Sequence, residues 1–266
     1  KASPKPSPFR QAHCLKGGGS IFLYLQVLSH TFLPMSQYII RNTQYTALIV
    51  AGGCGSRMGS DIPKQFMLLK QKPVLMHTME AFYYSDLNPQ IIVVLNIDFH
   101  PYWEEACKKH HFNIPHQLVK GGDQRFYSVK NGLKAIKGPT VIAIHDAVRP
   151  LVSNQMITKS FLQAELNNNA VVAIRSTDSI RQASGDSTMA LNREDIYLVQ
   201  TPQTFKSDIL KKAYRQPYRI EFTDDASVVE KSGIPIKLIP GEKKNIKITF
   251  PEDLLLAEFY LSEKYI

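Results

Sequence analysis

From residue 46 to residue 201, short apolar runs alternate along the chain with longer segments of mixed polarity. Five of the runs are rich in β-branched residues and apolar at consecutive positions, which is typical of strands buried on both faces. They are TALIVAG (46–52), QIIVVLN (90–96), VIAIHDA (141–147), AVVAIRS (170–176) and IYLVQT (196–201). Three of the longer segments have apolar residues at helical spacing, which predicts helices over 73–85, 128–138 and 154–169.

The alternation of buried strands with helices predicts an α/β fold, with a Rossmann-like, mainly parallel sheet flanked by helices. Parallel sheets of this kind bind ligands beyond the carboxyl ends of their strands. One segment, from about Thr177 to Ile196, interrupts the alternation. Its Gly185–Asp186 pair between short runs predicts a β-hairpin, which would protrude from the sheet as an arm.

Residues 1–34 differ in composition from the rest of the chain. They are rich in proline and serine, include GGGS and the apolar run IFLYLQVL, and contain no acidic residue. The apolar run is too short to span a bilayer and no small-residue cleavage pattern follows it, so we expect neither a membrane anchor nor a targeting peptide. We expect residues 1–34 to be a disordered extension and residues 35–266 to form a single domain.

Charge and cysteine content restrict the class of ligand and the compartment. The net charge is +9, but four of the basic residues lie within residues 1–34, and the later ones are interspersed with acidic residues. This pattern favours a small anionic ligand over nucleic acid. The cysteines lie far apart without ligand-like spacing, which argues against a disulfide framework and a zinc site and favours the cytoplasm.

A glycine-rich break follows the first predicted strand in ALIVAGGCGSRMGSDIPKQF (47–66). Glycines allow backbone N–H groups to approach an oxyanion closely, and a nearby helix N-terminus favours phosphate. The stretch lacks the spacing of a Walker A loop, and Met58 replaces the third small residue of a dinucleotide fingerprint. A tight turn without a ligand is the alternative, but Arg57 and Lys64 beyond the glycines favour a phosphate-binding loop.

The loop resembles the signature of nucleotidyltransferases that make sugar- or polyol-nucleotides, and its PKQ is similar to the branch that uses CTP. Five further segments match in the same order: KGGDQRFYSVKNGL (120–133), IHDAVRP (144–150), LVQTPQTF (198–205), FTDDASVVE (222–230) and NIKITFPEDLLLAEFYL (245–261). Together they resemble the 2-C-methyl-D-erythritol 4-phosphate cytidylyltransferase family across nearly all of residues 46–262. The resemblance implies transfer of CMP from CTP to that polyol phosphate, with release of pyrophosphate, in non-mevalonate isoprenoid synthesis.

Some positions depart from the family pattern. Val50, Ala51 and Gly52 stand where the family often has a proline and two alanines, and Ser179 stands where a threonine is frequent. The AGG and PKQF segments are also similar to ribitol-5-phosphate cytidylyltransferases, so a ribitol phosphate acceptor stays open. A regulatory module that binds a nucleotide without turnover is a further alternative.

The resemblance assigns roles to the matching positions. The implied catalytic cations are Arg57, Lys64 and Lys247. The implied nucleotide-binding residues are Ala51, Gly52, Gly53, Gly121, Gly122, Asp123, Ser128, Asp146, Ala147 and Arg149. The implied substrate-binding residues are Thr223 and Lys247, with Ser179 and Arg193 from the second subunit of a homodimer. The implied cofactor is Mg²⁺ or another divalent cation, held mainly by the CTP phosphates, with Asp146 as the candidate protein ligand.

The implied reaction explains a site rich in cations and poor in histidine. The second pKa of a phosphate monoester is about 6, so the attacking phosphate is already ionised near neutral pH and needs no general base. The protein must instead bring two anions together and stabilise the charge that develops on the α-phosphoryl oxygens. His145 precedes Asp146 at a strand end, and we expect His145 to be structural and Asp146 to belong to the site.

Overall fold

A seven-stranded sheet forms the centre of the computed structural model, which describes residues 43–52 and 62–262. The described strands are β1 (Tyr45–Ala51), β2 (Leu68–Leu69), β3 (Lys72–Pro73), β4 (Gln90–Leu95), β5 (Gln117–Lys120), β6 (Val141–Asp146), β7 (Asn169–Arg175), β8 (Ile180–Ser184), β9 (Ser187–Leu191), β10 (Tyr197–Lys206) and β11 (Leu238–Pro240). The described α-helices are α1 (Val74–Tyr83), α2 (His100–Lys109), α3 (Arg125–Ala135), α4 (Asn154–Asn167), α5 (Ser207–Ala213), α6 (Asp225–Lys231) and α7 (Pro251–Ser262).

The sheet is mainly parallel, as predicted. Its strand order is β11-β7-β10-β6-β1-β4-β5. Strand β1 pairs in parallel with both β4 and β6, and the β4–β5 and β11–β7 pairs are also parallel. Strand β10 is the exception, because it lies antiparallel between β6 and β7. The carboxyl ends of β1, β5 and β6 therefore meet at one edge of the sheet.

Helices cover both faces of the sheet, which explains why its inner strands are apolar at consecutive positions. Ile49 of β1 packs in a buried cluster with residues of α1, α2 and α4. Its neighbour Leu48 points to the opposite face and packs with residues of α3, α5 and α6. A third, smaller cluster lies beneath α7 and includes Ile248 and Ala257.

All five predicted strands belong to this sheet, and the three predicted helices correspond to α1, α3 and α4. Helix α3 begins at Arg125, three residues before the predicted start, so its first turn faces the strand ends. Strand β5 was not predicted from the apolar pattern. It is an edge strand whose four residues are exposed or half-buried, and its sequence QLVK has only two apolar residues.

The predicted hairpin is present as a separate two-stranded sheet. Strands β8 and β9 pair antiparallel around a turn in which Gly185 has a φ of +57°. Arg193 falls within the predicted hairpin segment, Thr177 to Ile196, but lies on neither strand, because β9 ends at Leu191. Arg193 begins a short 3-10 turn in which the Asn192 side chain accepts a hydrogen bond from the N–H of Glu194. The expected extension, residues 1–34, and the expected boundary at residue 35 lie outside the described residues.

Candidate active site

A cleft opens at the edge where β1, β5 and β6 end. Strand β1 ends at Ala51, β6 ends at Asp146, and β5 leads directly into the loop containing Gly122. The cleft is lined by Val50, Ala51, Gly52, Lys64, Gln65, Gly122, Asp123, Gln124, Arg125, Ser128, Asp146, Ala147, Val148 and Lys247. Residues far apart in the sequence meet here because parallel strands deliver their carboxyl ends to the same side of the sheet.

The cleft brings together most of the described residues that the sequence assigned to the nucleotide and to catalysis. Those that line it are Ala51, Gly52, Lys64, Gly122, Asp123, Ser128, Asp146, Ala147 and Lys247. Gly121 lies behind the cleft wall and donates its N–H to the carbonyl of Leu95, at 2.8 Å. Gly53 and Arg57 lie outside the described residues.

Glycine is required at two of these positions by close contact with α3. A Cβ atom on Gly52 would lie 2.9 Å from the Oγ of Ser128, and one on Gly122 would lie 2.5 Å from the Cβ of Tyr127. The Ser128 hydroxyl accepts a hydrogen bond from the N–H of Gly122, at 3.0 Å, and lies 3.2 Å from the Gln124 carbonyl. Ser128 thus fixes the loop after β5 against the first turn of α3.

The PKQF segment is anchored by the two residues that follow Lys64. The Gln65 side chain is buried and donates from Nε2 to the carbonyl of Ala51, at 2.9 Å. Phe66 packs against the rings of Tyr102 and Trp103, with centroids 4.7 and 6.4 Å away. These contacts hold the backbone of Lys64 beside the end of β1. The sequence analysis did not assign Gln65 a role, although it lies within the quoted motif.

Asp146 is the electrostatic centre of the cleft. Its Oδ2 lies 3.0 Å from the Nζ of Lys247 and 3.3 Å from the Nε of Arg149, and its Oδ1 lies 3.8 Å from the Nε of Arg125. Burial alone would raise the pKa of Asp146, but the charges of the three cations outweigh it and hold this pKa well below its ordinary value. The carboxylate is therefore ionised at neutral pH.

Arg149 reaches Asp146 from behind the cleft rather than lining it. Its Nη1 donates to the backbone carbonyl of Asn245, at 2.8 Å, and the buried Asn245 amide donates to the carbonyl of Thr201, at 2.8 Å. These bonds connect the loop that carries Lys247 to strand β10 and to the end of β6. Arg149 is thus placed to fix this loop and to balance the charge of Asp146.

His145 is structural, as expected. Its Nε2 donates to the carbonyl of Arg149 and its Nδ1 accepts from the hydroxyl of Thr201, both at 3.1 Å. The Thr201 hydroxyl also accepts a hydrogen bond from the N–H of Asp146, at 3.1 Å. Both nitrogens of the His145 ring are therefore hydrogen-bonded while the ring is neutral. Burial lowers the pKa of His145 to about 4 from an ordinary value of 6.5, although the bond to Arg149 opposes this shift.

The carboxylates in the cleft fit a cation that arrives with a nucleotide. Within 43–52 and 62–262, no three His, Cys, Asp or Glu side chains cluster to hold a metal ion. Asp123 and Asp146 nevertheless both line the cleft. Mg²⁺ commonly binds one or two carboxylates and completes its coordination with substrate phosphates and water, so this donor set is sufficient for it.

The described residues assigned to the acceptor lie outside the lining of this cleft, apart from Lys247. Thr223 is exposed just before α6, and the helix is capped by the adjacent Asp224, whose carboxylate accepts from the N–H of Ser227, at 2.8 Å. Ser179 and Arg193 are exposed at the base of the hairpin. In the part of the chain that the structure describes, neither side chain forms a hydrogen bond or an ion pair with Lys247.

Comparison with known proteins agrees with the motifs and the geometry. Residues 45–263 match the protein family described as "IspD: 2-C-methyl-D-erythritol 4-phosphate cytidylyltransferase". The chain belongs to this family. The enzyme of that name from Bacteroides fragilis is 48% identical over 216 residues, which cover 81% of this chain and 99% of the relative. The one from Azobacteroides pseudotrichonymphae is 49% identical over 216 residues, covering 81% and 97%.

Solved structures of the same family share the fold. The 4-diphosphocytidyl-2C-methyl-D-erythritol synthase of Anaerococcus prevotii superposes with a TM-score of 0.72 at 26% identity, covering 83% of this chain and 97% of that one. The 2-C-methyl-D-erythritol 4-phosphate cytidylyltransferase of Thermus thermophilus gives 0.67 at 28% identity, covering 82% and 98%. No described helix of this chain is both long and apolar enough to cross a bilayer.

Three polar residues of this cytidylyltransferase cleft were missed from the sequence: Gln65, Gln124 and Arg125. Arg125 and Gln124 lie inside the quoted segment 120–133, three and four residues before Ser128, respectively. Helical spacing places residues three apart on one helix face, so the assignment of Ser128 was the available signal for Arg125.

The neutral state of His145 predicts a loss of stability in mild acid. Between pH 6.5 and about 4 the unfolded chain binds a proton at His145 that the folded chain does not, so the free energy of unfolding falls as the pH falls. The shift corresponds to roughly 3 kcal/mol by pH 4. Urea unfolding should show that the free energy of unfolding falls less between pH 7 and pH 4 in His145→Gln than in the wild type. In the control His111→Asn, at an exposed site, this fall should equal that of the wild type. An unchanged decrease in His145→Gln would contradict the assignment.

Proposed function

We propose that this chain transfers CMP from CTP to 2-C-methyl-D-erythritol 4-phosphate and releases pyrophosphate. The observation that carries the proposal is the cleft itself. It places Lys64, Lys247 and the ionised Asp146 next to the loops of Gly52 and Gly122, at the ligand-binding edge of the sheet. A triphosphate needs cations and close backbone approach, and this cleft offers both.

The chemistry follows from the charges in the cleft. The acceptor phosphate attacks the α-phosphorus of CTP, a bond forms between its oxygen and that phosphorus, and the bond to the departing pyrophosphate breaks. No histidine lines the described cleft, and none is needed, because the attacking phosphate has a pKa of about 6 and is already ionised. Lys64 and Lys247, together with Arg57, which lies outside the described residues, stabilise the charge on the phosphoryl oxygens.

Asp146 and Lys247 work as a pair. At 3.0 Å from the carboxylate, the Lys247 ammonium is held at the cleft by a charge-assisted contact with Asp146. Asp146 and the CTP phosphates would hold the divalent cation, which supplies neutralisation of phosphate charge when bound. Arg149 acts through Asp146 and the Asn245 carbonyl and is a positioning residue.

The base and ribose are assigned to the two glycine loops. The backbone of Ala51 and Gly52 lies against ribose and triphosphate, and the loop of Gly121, Gly122 and Asp123 reads the edge of the cytosine. Ser128 contributes by holding this loop, because its hydroxyl is already bonded to the Gly122 N–H. Ala147 closes the sugar side, where its carbonyl is fixed by the Thr78 hydroxyl at 2.8 Å.

The binding site for the acceptor is completed by a second subunit. Ser179 and Arg193 lie at the base of the hairpin and Thr223 precedes α6, so the hairpin region of a partner subunit would have to reach the cleft to join Lys247 on one phosphate. Four apolar residues at and after the hairpin are exposed within the chain: Met189, Tyr197, Leu198 and Val199. Burying them in a two-fold dimer would supply an apolar driving force. The scattered cysteines favour the cytoplasm as the place of this reaction.

The reaction itself is tested by pyrophosphate release. The purified chain should release pyrophosphate from CTP with 2-C-methyl-D-erythritol 4-phosphate and Mg²⁺, and release should be far slower with ATP or GTP, since a buried polar edge left unpaired is costly. Ribitol 5-phosphate provides the matched acceptor control. Faster turnover with ribitol 5-phosphate would reassign the acceptor, and CTP binding without turnover of either would indicate a regulatory module.

Replacement of Lys247 by methionine tests the transition-state role of the cleft cations. Lys247→Met retains the length of the side chain but removes the charge, and kcat should fall by about 10²-fold, the scale for loss of one preorganised electrostatic contact. Lys243→Met removes an exposed charge from the same loop and should retain wild-type kcat. A folded Lys247→Met variant that keeps more than half of the wild-type kcat would refute this role.

Mixed dimers test whether the site is shared. Lys64→Ala damages the nucleotide half of a site and Arg193→Ala the acceptor half, so each homodimer should be nearly inactive. If the halves come from different chains, a mixed dimer has one intact and one doubly damaged site. Equal co-refolding makes about half of the dimers mixed, so about one quarter of the wild-type activity should return. If the activity after co-refolding does not exceed that of the separate homodimers, both residues act in the same site of one chain.

A further inference from the structure

The side chain of Arg125 lies between two carboxylates from different parts of the chain. Its Nη2 donates to the Oδ2 of Asp225 at 2.6 Å, while its Nε lies 3.8 Å from the Oδ1 of Asp146. Arg125 begins α3, Asp225 begins α6, and Asp146 ends β6. One guanidinium therefore connects the cleft carboxylate to a second carboxylate that does not line the cleft.

Asp225 is completely buried, and both of its oxygens are engaged. The Tyr214 hydroxyl donates to Oδ1 at 2.6 Å, and Arg125 donates to Oδ2. The Tyr214 ring is itself fixed by stacking on Phe126, with centroids 4.8 Å apart. A buried carboxylate with two short hydrogen bonds is a rigid anchor, because moving either partner would leave a charge unpaired in the interior.

This anchor determines how Arg125 meets Asp146. At 3.8 Å the guanidinium stabilises the carboxylate through its charge but does not form a hydrogen bond with it. Lys247 and Arg149 both approach the other oxygen, Oδ2. Among the described side chains, Oδ1 of Asp146 thus has a nearby positive charge and retains its capacity as an electron-pair donor.

We propose that Asp225 is a positioning residue that holds Arg125 back, so that Oδ1 of Asp146 remains able to ligate the divalent cation that accompanies CTP. The proposal rests on the proposed function. If the anchor is weakened, Arg125 has to move by only about 1 Å to donate to Oδ1 at a normal hydrogen-bond distance. The guanidinium would then compete with the cation for the same oxygen.

The measured quantity is the metal enhancement, defined as the ratio of the CTP dissociation constants without and with Mg²⁺, obtained by calorimetry in EDTA and in excess Mg²⁺. Asp225→Asn keeps the shape of the side chain but removes the charge that anchors Arg125. We expect it to reduce the metal enhancement by about tenfold, the lower end of the effect of residues that orient metal ligands. CTP affinity in EDTA should change less than twofold.

A second substitution distinguishes competition from structural damage. In Arg125→Gln/Asp225→Asn the competing guanidinium is absent, so the metal enhancement should return to within about threefold of the wild type. A residue that only supported the fold would give the opposite result, since removing both partners would be no better than removing one. Glu80→Gln, which breaks an ion pair with Lys72 away from the cleft, is the matched control and should keep the wild-type enhancement.

The outcomes separate this inference from the proposed function. A wild-type chain that does not bind CTP overturns both. Two results overturn the inference and leave the proposed function standing. In the first, Asp225→Asn has the same metal enhancement as the wild type. In the second, the double variant has a metal enhancement as low as that of Asp225→Asn. If Asp225→Asn does not fold, Tyr214→Phe replaces it, because it removes one bond to the anchor and retains the stacked ring. A reduced enhancement in Tyr214→Phe and recovery in Arg125→Gln/Tyr214→Phe support the inference, and any other pair of results overturns it.

Discussion

The buried negative charge of Asp146 is the constraint on which the cleft depends. A carboxylate at the end of a buried strand is costly unless cations and hydrogen bonds compensate it. The compensating groups come from three places: Arg125 at the start of α3, Arg149 just after β6, and Lys247 in the loop after β11. Each must be held within about 4 Å of one side chain, so the charge balance of Asp146 also sets the positions of the elements around it.

The same constraint explains the polar network behind the cleft. Arg149 is fixed by the Asn245 carbonyl, and the Asn245 amide is bonded to Thr201 of β10. The Thr201 hydroxyl in turn accepts a hydrogen bond from the N–H of Asp146 and donates one to the Nδ1 of His145. The antiparallel strand β10 is therefore part of the site although none of its residues lines the cleft. The Thr201 hydroxyl supplies hydrogen bonds that the end of β6 would otherwise lack, and the Thr201 carbonyl holds the Asn245 amide.

Local sequence predicted the parts of the fold that are fixed by local pattern. The central strands were predictable because runs such as VIAIHD are buried on both faces, and the hairpin was predictable from Gly185 and Asp186. The antiparallel direction of β10 was not, since pairing partners are set by tertiary packing. The glycine loops and the lysines were recognised through motifs, but the bond between Gln65 and Ala51 and the anchor of Arg125 on Asp225 were not. These contacts join residues 14 and 100 positions apart, and periodicity carries no information over such separations.

The packing of Phe66 against Trp103 gives the chain a built-in optical reporter. Trp103 is the single tryptophan of the sequence, and its buried indole stacks on the residue that lies two positions after Lys64. Its Nε1 donates to the Nε2 of His116, which immediately precedes β5 and its glycine loop. The tryptophan fluorescence of the unmodified chain therefore originates between two segments that flank the cleft, and no dye or added chromophore is needed to observe that side of the molecule.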